Sequence, residues 1–335
     1  MQDLVSIVIV NWNGEKWLKK CLESLAMQIY KNIEIIFVDN ASTDGSINFV
    51  KQFYPKIKIV INQKNLGFAG GNNIGVMNAT GKYILLLNND TTVNNDFLSI
   101  LVDYLEKNID VGIVQPKIYL TREKGLLDAT GSFLTKTGFL KHTGFEIDHG
   151  QHNTIQQIFS AKGACILIRK EVIEKVGLFD DDYFAYFEET DFCWRTWLAG
   201  YKIIFLPQSI IYHDMGLTCR KFPSSFADYL SFKNRIRTHI KNLSFPKLIY
   251  ILPVHLVITI LFAIIYLVLG KFRNSYAVLK AWAWNIANLR KTLKKREKIQ
   301  NEIRKISDKK LFPIIMQKLD VAITLNHLKR YLKRW

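Results

Sequence analysis

At 335 residues, 49% of them apolar, the chain is long enough for a large α/β domain with an appendage, and its composition excludes intrinsic disorder. Cys21, Cys165, Cys193 and Cys219 form no Cys-x-x-Cys pair, so neither a disulfide framework nor a zinc knuckle is expected and a reducing cytoplasmic setting fits. The net charge of +17 is concentrated at the end, where residues 271–335 hold 18 Lys/Arg against 4 Asp/Glu and leave only +3 for residues 1–270, a pattern suited to nucleic acid or an anionic membrane.

In chain order, no export-signal pattern is read before the first strand, residues 4–10, which stops at Asn11-Trp12-Asn13-Gly14. Residues 15–25 follow with helical spacing, placing Trp17, Leu18, Cys21, Leu22 and Leu25 on one side. A second strand, residues 33–38, ends at the polar run Asp39 to Ser46 and opens a helix through about residue 53. A third, residues 57–61, precedes Asn65-Leu66-Gly67-Phe68-Ala69-Gly70-Gly71-Asn72-Asn73 and a helix to residue 79. The fourth, starting at Tyr83, is an apolar run that stops at Asn88-Asn89-Asp90. Four alternations of strand and helix predict a doubly wound parallel sheet with its polar turns on one edge, where such sheets bind ligands.

Each turn has two readings. Asp39 either accepts hydrogen bonds from a base or ribose or opens an Asx-rich turn, and Asp44 fits a helix cap. Gly67, Gly70 and Gly71 either let backbone approach a phosphate or form a loose turn. Asp90, delivered by a rigid strand, either holds a hard cation and through it a phosphate, or belongs to a turn capping a helix near Asn94. No Gly-x-Gly-x-x-Gly follows the first strand, which disfavours NAD.

Residues 111–168 read as shorter strands and Gly/Thr/Lys-rich turns laid against the first sheet, with a glycine-bearing strand over 159–168. A short helix over 170–176 ends at Gly177. Glu188, Glu189 and Asp191 then open a helix to about Ala199, closed by Gly200. Either these acids complement the helix start, with Asp191 and Arg195 as an i,i+4 pair, or one carboxylate faces the cleft as a general base. A strand over 202–206 follows, and residues 210–218, which end the globular part, carry His213, an ordinary histidine or a metal ligand.

Residues 1–221 thus form the expected catalytic domain, 222–247 a basic linker helix, and 248–335 an apolar segment with basic helices. Residues 248–269 contain no Asp, Glu, Lys or Arg, long enough to cross a bilayer and also readable as a buried core helix. One span would put the basic tail outside, against the positive-inside tendency, so an in-plane or re-entrant segment, or a pair using residues 276–289, is favoured. Residues 290–310 read as an interfacial or solvated basic helix. The apolar run makes membrane the expected partner and nucleic acid not.

Taken together, six ordered stretches resemble the inverting family 2 glycosyltransferases of the GT-A fold, especially their rhamnosyltransferase-like branch: Val10-Asn11-Trp12-Asn13-Gly14, Val38 to Gly45, Asn65 to Asn73, Leu87-Asn88-Asn89-Asp90, Glu188-Glu189-Thr190-Asp191 with Arg195, and His213-x-x-Gly216-x-Thr218. The resemblance implies a GT-A nucleotide-diphospho-sugar transferase fold, a doubly wound mixed sheet with a C-terminal helical membrane-associated region. It implies Asp39 at the nucleotide base and Asn11, Asn65, Gly67, Gly70 and Gly71 lining the nucleotide, with Asn89, Asp90 and Arg195 also on the donor. Asp90 and His213 would hold Mg²⁺ or Mn²⁺, and Glu189 would be the base, supported by Glu188 and Asp191. The family's first Asp-x-Asp acid is Asn88 here, leaving one carboxylate for the cation. The implied reaction moves a sugar from a nucleoside-diphosphate sugar to a glycan or polyprenyl-linked acceptor at the cytoplasmic face of the cell membrane, in surface-polysaccharide assembly. A silent scaffold of such an assembly, or a nucleotidyltransferase, is the alternative.

Overall fold

The computed structural model describes residues 2–214 and 222–318; Gly216, Thr218 and Cys219 and the end of the basic tail lie outside the described residues. The first half alternates as the periodicity predicts: β1 (Val5–Asn11), α1 (Glu15–Ala26), β2 (Ile33–Asp39), α2 (Ser46–Phe53), β3 (Lys58–Ile61), α3 (Gly67–Met77) and β4 (Tyr83–Asn88). These strands are parallel, in the order β4-β1-β2-β3. Alternate residues of β1 and β4 enter opposite cores, Ile7, Ile9, Leu85 and Leu87 on one face and Val8, Ile84 and Leu86 on the other. That double burial explains why the runs are apolar throughout rather than alternating. The register sets Asn11 beside Asp39 and Val10 beside Asn88, so the polar turns open along one edge.

Asn65 to Asn73 is not a loose glycine turn, because α3 already begins at Gly67. The helix lies so close to β1 that a Cβ on Gly71 would stand 2.6 Å from Val10 Cγ1. Gly71 therefore permits helix-on-sheet contact.

Beyond β4 come β5 (Thr91–Val93), α4 (Phe97–Lys107), β6 (Val111–Leu120), β7 (Leu127–Ala129), β8 (Gly131–Leu134), β9 (Leu140–Thr143), β10 (Gln156–Gln157), β11 (Cys165–Arg169), α5 (Lys170–Val176), α6 (Glu188–Leu198) and β12 (Lys202–His213). Residues 111–168 do not form a layer laid against the first sheet. The strands β6, β10 and β11 join β12 in extending that sheet, in the order β10-β12-β6-β11-β4-β1-β2-β3, and only β8 and β9 form a separate pair. The strand expected over 159–168 is confined to β11, because Lys162 and Gly163 leave the sheet in a turn. Nor does a helix begin at Asn94. Thr91 to Val93 pair antiparallel with Ile211 to His213 instead, which brings the end of β12 alongside Asp90.

The C-terminal helices are α7 (Ser224–Asn242), α8 (Phe245–Val268), α9 (Phe272–Ala287), α10 (Leu289–Lys298), a π-helical turn (Ile299–Ile303) and α11 (Asp308–Ile315). The expected linker is an integral part of the fold. Its Arg237 and Lys241 are buried and paired with Asp180 at 3.0 and 2.6 Å. Lys295 of α10 reaches the same carboxylate at 2.6 Å, and Lys291 reaches Asp182. Nor is 290–310 simply a solvated helix, since Ile299 and Ile303 enter the core beside Trp197 and Leu198. Burial alone would raise the Asp180 carboxyl, but Lys241 and Arg237 hold it far below the usual range. Lys295 of the basic tail thus joins Arg237 and Lys241 of α7 in neutralising a buried acid.

Candidate active site

His213 is placed by the pairing of β12 with β5, and its Nε2 lies 3.3 Å from Asp90 Oδ1. On its other side Nδ1 bonds Asp128 Oδ2 at 2.9 Å, and Lys162 Nζ stands 3.3 Å from the second oxygen of Asp128. Burial would lower the imidazole, but Asp128 and Asp90 raise it to about 9. Burial would likewise raise Asp128, yet Lys162 and His213 hold it well below the usual carboxylate range.

The pair fits a divalent cation. Asp90 Oδ1 is buried and, among the described residues, makes no hydrogen bond. Its separation from His213 Nε2 is close to the ~3 Å expected between neighbouring ligands of an octahedral ion with bonds of ~2.1 Å. A carboxylate on the far nitrogen, as Asp128 provides, is how ligating histidines are oriented. Among the described residues no group of three or more His, Cys, Asp or Glu side chains converges on one point, so substrate oxygens and water would complete the shell. Asn88 brings only an amide, its Nδ2 3.4 Å from His213 Nε2.

The acids at the start of α6 are presented by a strained turn. Tyr186 and Phe187 have φ of +69° and +72°, successive left-handed residues that are not glycine. Asn234 on α7 holds them, its Nδ2 donating to the Ala185 and Tyr186 carbonyls at 3.0 and 2.7 Å, while the Arg235 guanidinium lies 4.7 Å from the Phe187 ring centre. Glu188 is buried and Glu189 half-buried, and among the described residues neither Oε2 has a hydrogen-bond partner. Burial raises both carboxyls, and the neighbouring Glu189 pushes Glu188 further, whereas the Lys162 charge counters the rise at Glu189. Gly163 lets Phe68 pack close beside that edge: a Cβ there would lie 3.2 Å from the Phe68 ring and 3.9 Å from Glu189 Cβ. Lys162 thus stands electrostatically between the Asp90–His213 pair and Glu189.

Asp191 and Arg195 do not join this group. Asp191 is wholly buried, paired with Arg195 at 3.0 Å and Lys241 at 2.8 Å and accepting from Asn242 Nδ2 at 2.8 Å. Arg195 spends its remaining donors on the carbonyls of Val176, Gly177 and Leu178. Buried and committed to these partners, the pair is withdrawn from the cleft, so the expected place of Arg195 on the donor and of Asp191 beside the base gives way to anchoring α6.

Along the other edge, Asn89 Nδ2 donates to Asn11 Oδ1 at 2.6 Å, and Asn11 Nδ2 donates to Asp39 Oδ1 at 3.1 Å. Asp39 Oδ2 accepts from the Ser42 backbone at 2.8 Å, so the buried Asp39 occupies the Asx turn of its structural reading and ties the strand ends together. Asn65 Oδ1 accepts from Gly67 N at 2.8 Å, steadying the start of α3, and Gly70 lies within that helix. Asp44 Oδ1 accepts from Ser46 N at 3.1 Å at the start of α2. Asp128, Lys162 and Asn234 escaped the sequence reading. The available signal was a lone acid and a lone lysine inside the otherwise small or apolar runs Leu126-Leu127-Asp128-Ala129 and Ala161-Lys162-Gly163-Ala164.

The family model for glycosyl transferase family 2 matches residues 6–177. The chain belongs to that family. Among relatives of this glycosyltransferase, the low-salt glycan biosynthesis hexosyltransferase Agl10 of Haloferax volcanii is 26% identical over 243 residues, 70% of this chain and 75% of that protein. The N-acetylglucosaminyl-diphospho-decaprenol L-rhamnosyltransferase of Mycobacterium tuberculosis is 22% identical over 67% of this chain and 80% of its own. Among solved structures, GalNAc-T7 with UDP, GalNAc and Mn²⁺ superposes with a TM-score of 0.56 at 17% identity, over 70% of this chain and 47% of its own. The mannosyltransferase PcManGT of Pyrobaculum calidifontis, in complex with GDP-Man and Mn²⁺, gives 0.52 at 17% identity over 87% of this chain and 76% of its own. The glycosyltransferase therefore has the GT-A fold, although it spans less than half of the GalNAc-T7 chain.

Proposed function

We propose that this glycosyltransferase takes a sugar from a nucleoside-diphosphate sugar and delivers it, with inversion, to a hydroxyl of a glycan or polyprenyl-linked acceptor at the cytoplasmic face of a membrane. The observation that carries the reading is the half-buried Glu189, its Oε2 without a partner among the described residues, held at the edge that Lys162 shares with Asp90 and His213. The donor and acceptor classes are supported by relatives whose names specify a hexosyltransferase of glycan biosynthesis and a rhamnosyltransferase acting on a lipid diphosphate.

In this mechanism Asp90 Oδ1 and His213 Nε2 would hold Mg²⁺ or Mn²⁺, which when bound offsets charge on the leaving diphosphate. Asp128 keeps the imidazole turned toward Asp90, and Lys162 is positioned to attract the diphosphate. Glu189 takes the proton of the acceptor hydroxyl as that oxygen attacks the anomeric carbon opposite the diphosphate. Glu188, buried beside it, has its carboxyl raised by burial and by the neighbouring Glu189 charge, and supports Glu189 at the start of α6. A single displacement inverts the anomeric centre.

Calorimetric titration with UDP-, dTDP- and GDP-sugars, each with and without Mn²⁺, is expected to single out one nucleotide whose binding weakens in Asp90→Ala. Glu189→Gln should lower turnover by about a hundredfold or more while nucleotide affinity stays within a few fold. Near-normal turnover would remove Glu189 as the base. Retention at the anomeric carbon, read by NMR of the product, would remove the single displacement.

A further inference from the structure

α8 has the length and composition of a membrane span, 24 residues with a mean hydropathy of 2.7 in its most apolar window. Its packing speaks against that use. Ile251, His255, Thr259, Ala263 and Tyr266 form a buried stripe along one face. His255 Nδ1 bonds the Thr137 carbonyl at 3.1 Å, its ring packs on Phe139, and Thr259 Oγ1 accepts from Trp282 Nε1 at 3.0 Å. Further along, Ala263 and Tyr266 share a cluster with Phe232 of α7 and Val278 of α9. Driven across a bilayer as it is packed, α8 would carry its neighbour α7 into hydrocarbon, and with it Lys233, Arg237 and Lys241, at a cost of several kcal/mol per charge.

The opposite face has no partner among the described residues. Val257 is 58% exposed and Val268 80%, and α9 continues the surface through Tyr276 at 66% and Ile286 at 72%. So extended an apolar face on two neighbouring helices exceeds the scattered exposure usual for a soluble surface. Exposed basic residues lie on the same run of helices: Lys247 on α8, Arg273 and Lys280 on α9, and Arg290, Lys294 and Lys298 on α10, and residues 245–318 contain 15 Lys/Arg against 3 Asp/Glu.

We infer that α8 and α9 form an in-plane platform, seated side-on in one leaflet of a bilayer with anionic headgroups, rather than a transmembrane hairpin. The inference rests on the reading that the enzyme works at a membrane and specifies how it does so. Apolar side chains enter the acyl boundary, and the flanking lysines and arginines meet the headgroups. The β8–β9 turn touches α8 through Thr137 and Phe139, while β7, just before it, carries Asp128. The platform and the site therefore share a short, rigid connection.

The test adds full-length protein to preformed vesicles of phosphatidylcholine alone or mixed equally with phosphatidylglycerol, then floats them. Flotation with the anionic vesicles, at least tenfold weaker with phosphatidylcholine, is expected. Fluorophores at Ile249→Cys and Val268→Cys, in a Cys219→Ser background because Cys21, Cys165 and Cys193 are buried, should both be quenched by external iodide and by shallow nitroxide lipids. If the Val268→Cys label answers only to quencher trapped inside the vesicles, α8 is a span: the in-plane arrangement falls and the membrane reading survives. Failure to float with either vesicle overturns both, and equal flotation with both overturns the anionic preference. The double variant Val257→Glu, Leu261→Glu should lose flotation while keeping its circular dichroism and melting temperature; undiminished flotation overturns the platform.

Discussion

The edge tied by Asn11, Asp39 and Asn89 and the edge bearing Glu188 and Glu189 are built in opposite ways. The first is made by consecutive β/α units, whose turns are tied to one another by Asn11, Asp39 and Asn89, all within the first 90 residues. On the second edge, Glu188 and Glu189 follow two left-handed residues that are restrained by Asn234, nearly fifty positions later, and α6 is pinned by Lys241 and Asn242. One edge closes as each unit folds. The other draws on contacts from the C-terminal helices.

The strongest way to break that contrast is to stop the chain after residue 221, keeping all six motif stretches. Because Asp180 and Asp191 lose Arg237, Lys241 and Lys295, leaving buried charges that cost about 3–5 kcal/mol when one partner is removed, the fragment should show neither transfer nor a cooperative thermal transition. An active, cooperatively melting fragment would show the second edge to be self-sufficient. A smaller effect separates positioning from binding. Asn234→Ala removes both donors from the turn before Glu188, and a loss of about 1–3 kcal/mol predicts kcat lower by about five- to 150-fold with nucleotide affinity within threefold. Equal losses in both would assign Asn234 to general stability.

The pH profile sharpens the same contrast. Glu189 accepts a proton only when ionised, so kcat/KM should fall as pH drops through its pKa, and burial sets that acid limb above the ordinary glutamate range. The limb should disappear from the residual activity of Glu189→Gln; a limb unchanged by that substitution belongs to another group. The smallest expected effect lies on the first edge. Gly71→Ala forces a methyl against Val10 and should lower the melting temperature by several degrees, about 1–3 kcal/mol, with little change in the pH profile.

The sequence disclosed most where structure is local. Buried runs, amphipathic spacing and the closing glycines Gly177 and Gly200 located β1 to β4, α1, α5 and α6, because each element carries its own periodicity. It disclosed less where a residue's meaning depends on a distant partner. The spacing of Asp191 and Arg195 allowed either a catalytic or an anchoring role, and only the arrival of Lys241 and Asn242 decides for anchoring. Asp128 and Lys162 carry no motif, and their importance follows from β7 and the turn before β11 meeting His213. The buried role of Lys295 was hidden for a related reason, since charge counting does not distinguish a lysine facing solvent from one facing Asp180.

The shared Asp180 cluster has a consequence for biosynthesis. Lys295 is 115 positions downstream of the carboxylate it closes upon, and ribosomes add about 5–20 residues each second. For roughly ten seconds, then, a nascent chain that already holds Asp180 lacks Lys295. A chain released before Lys295 would lack one of the cations that close on Asp180.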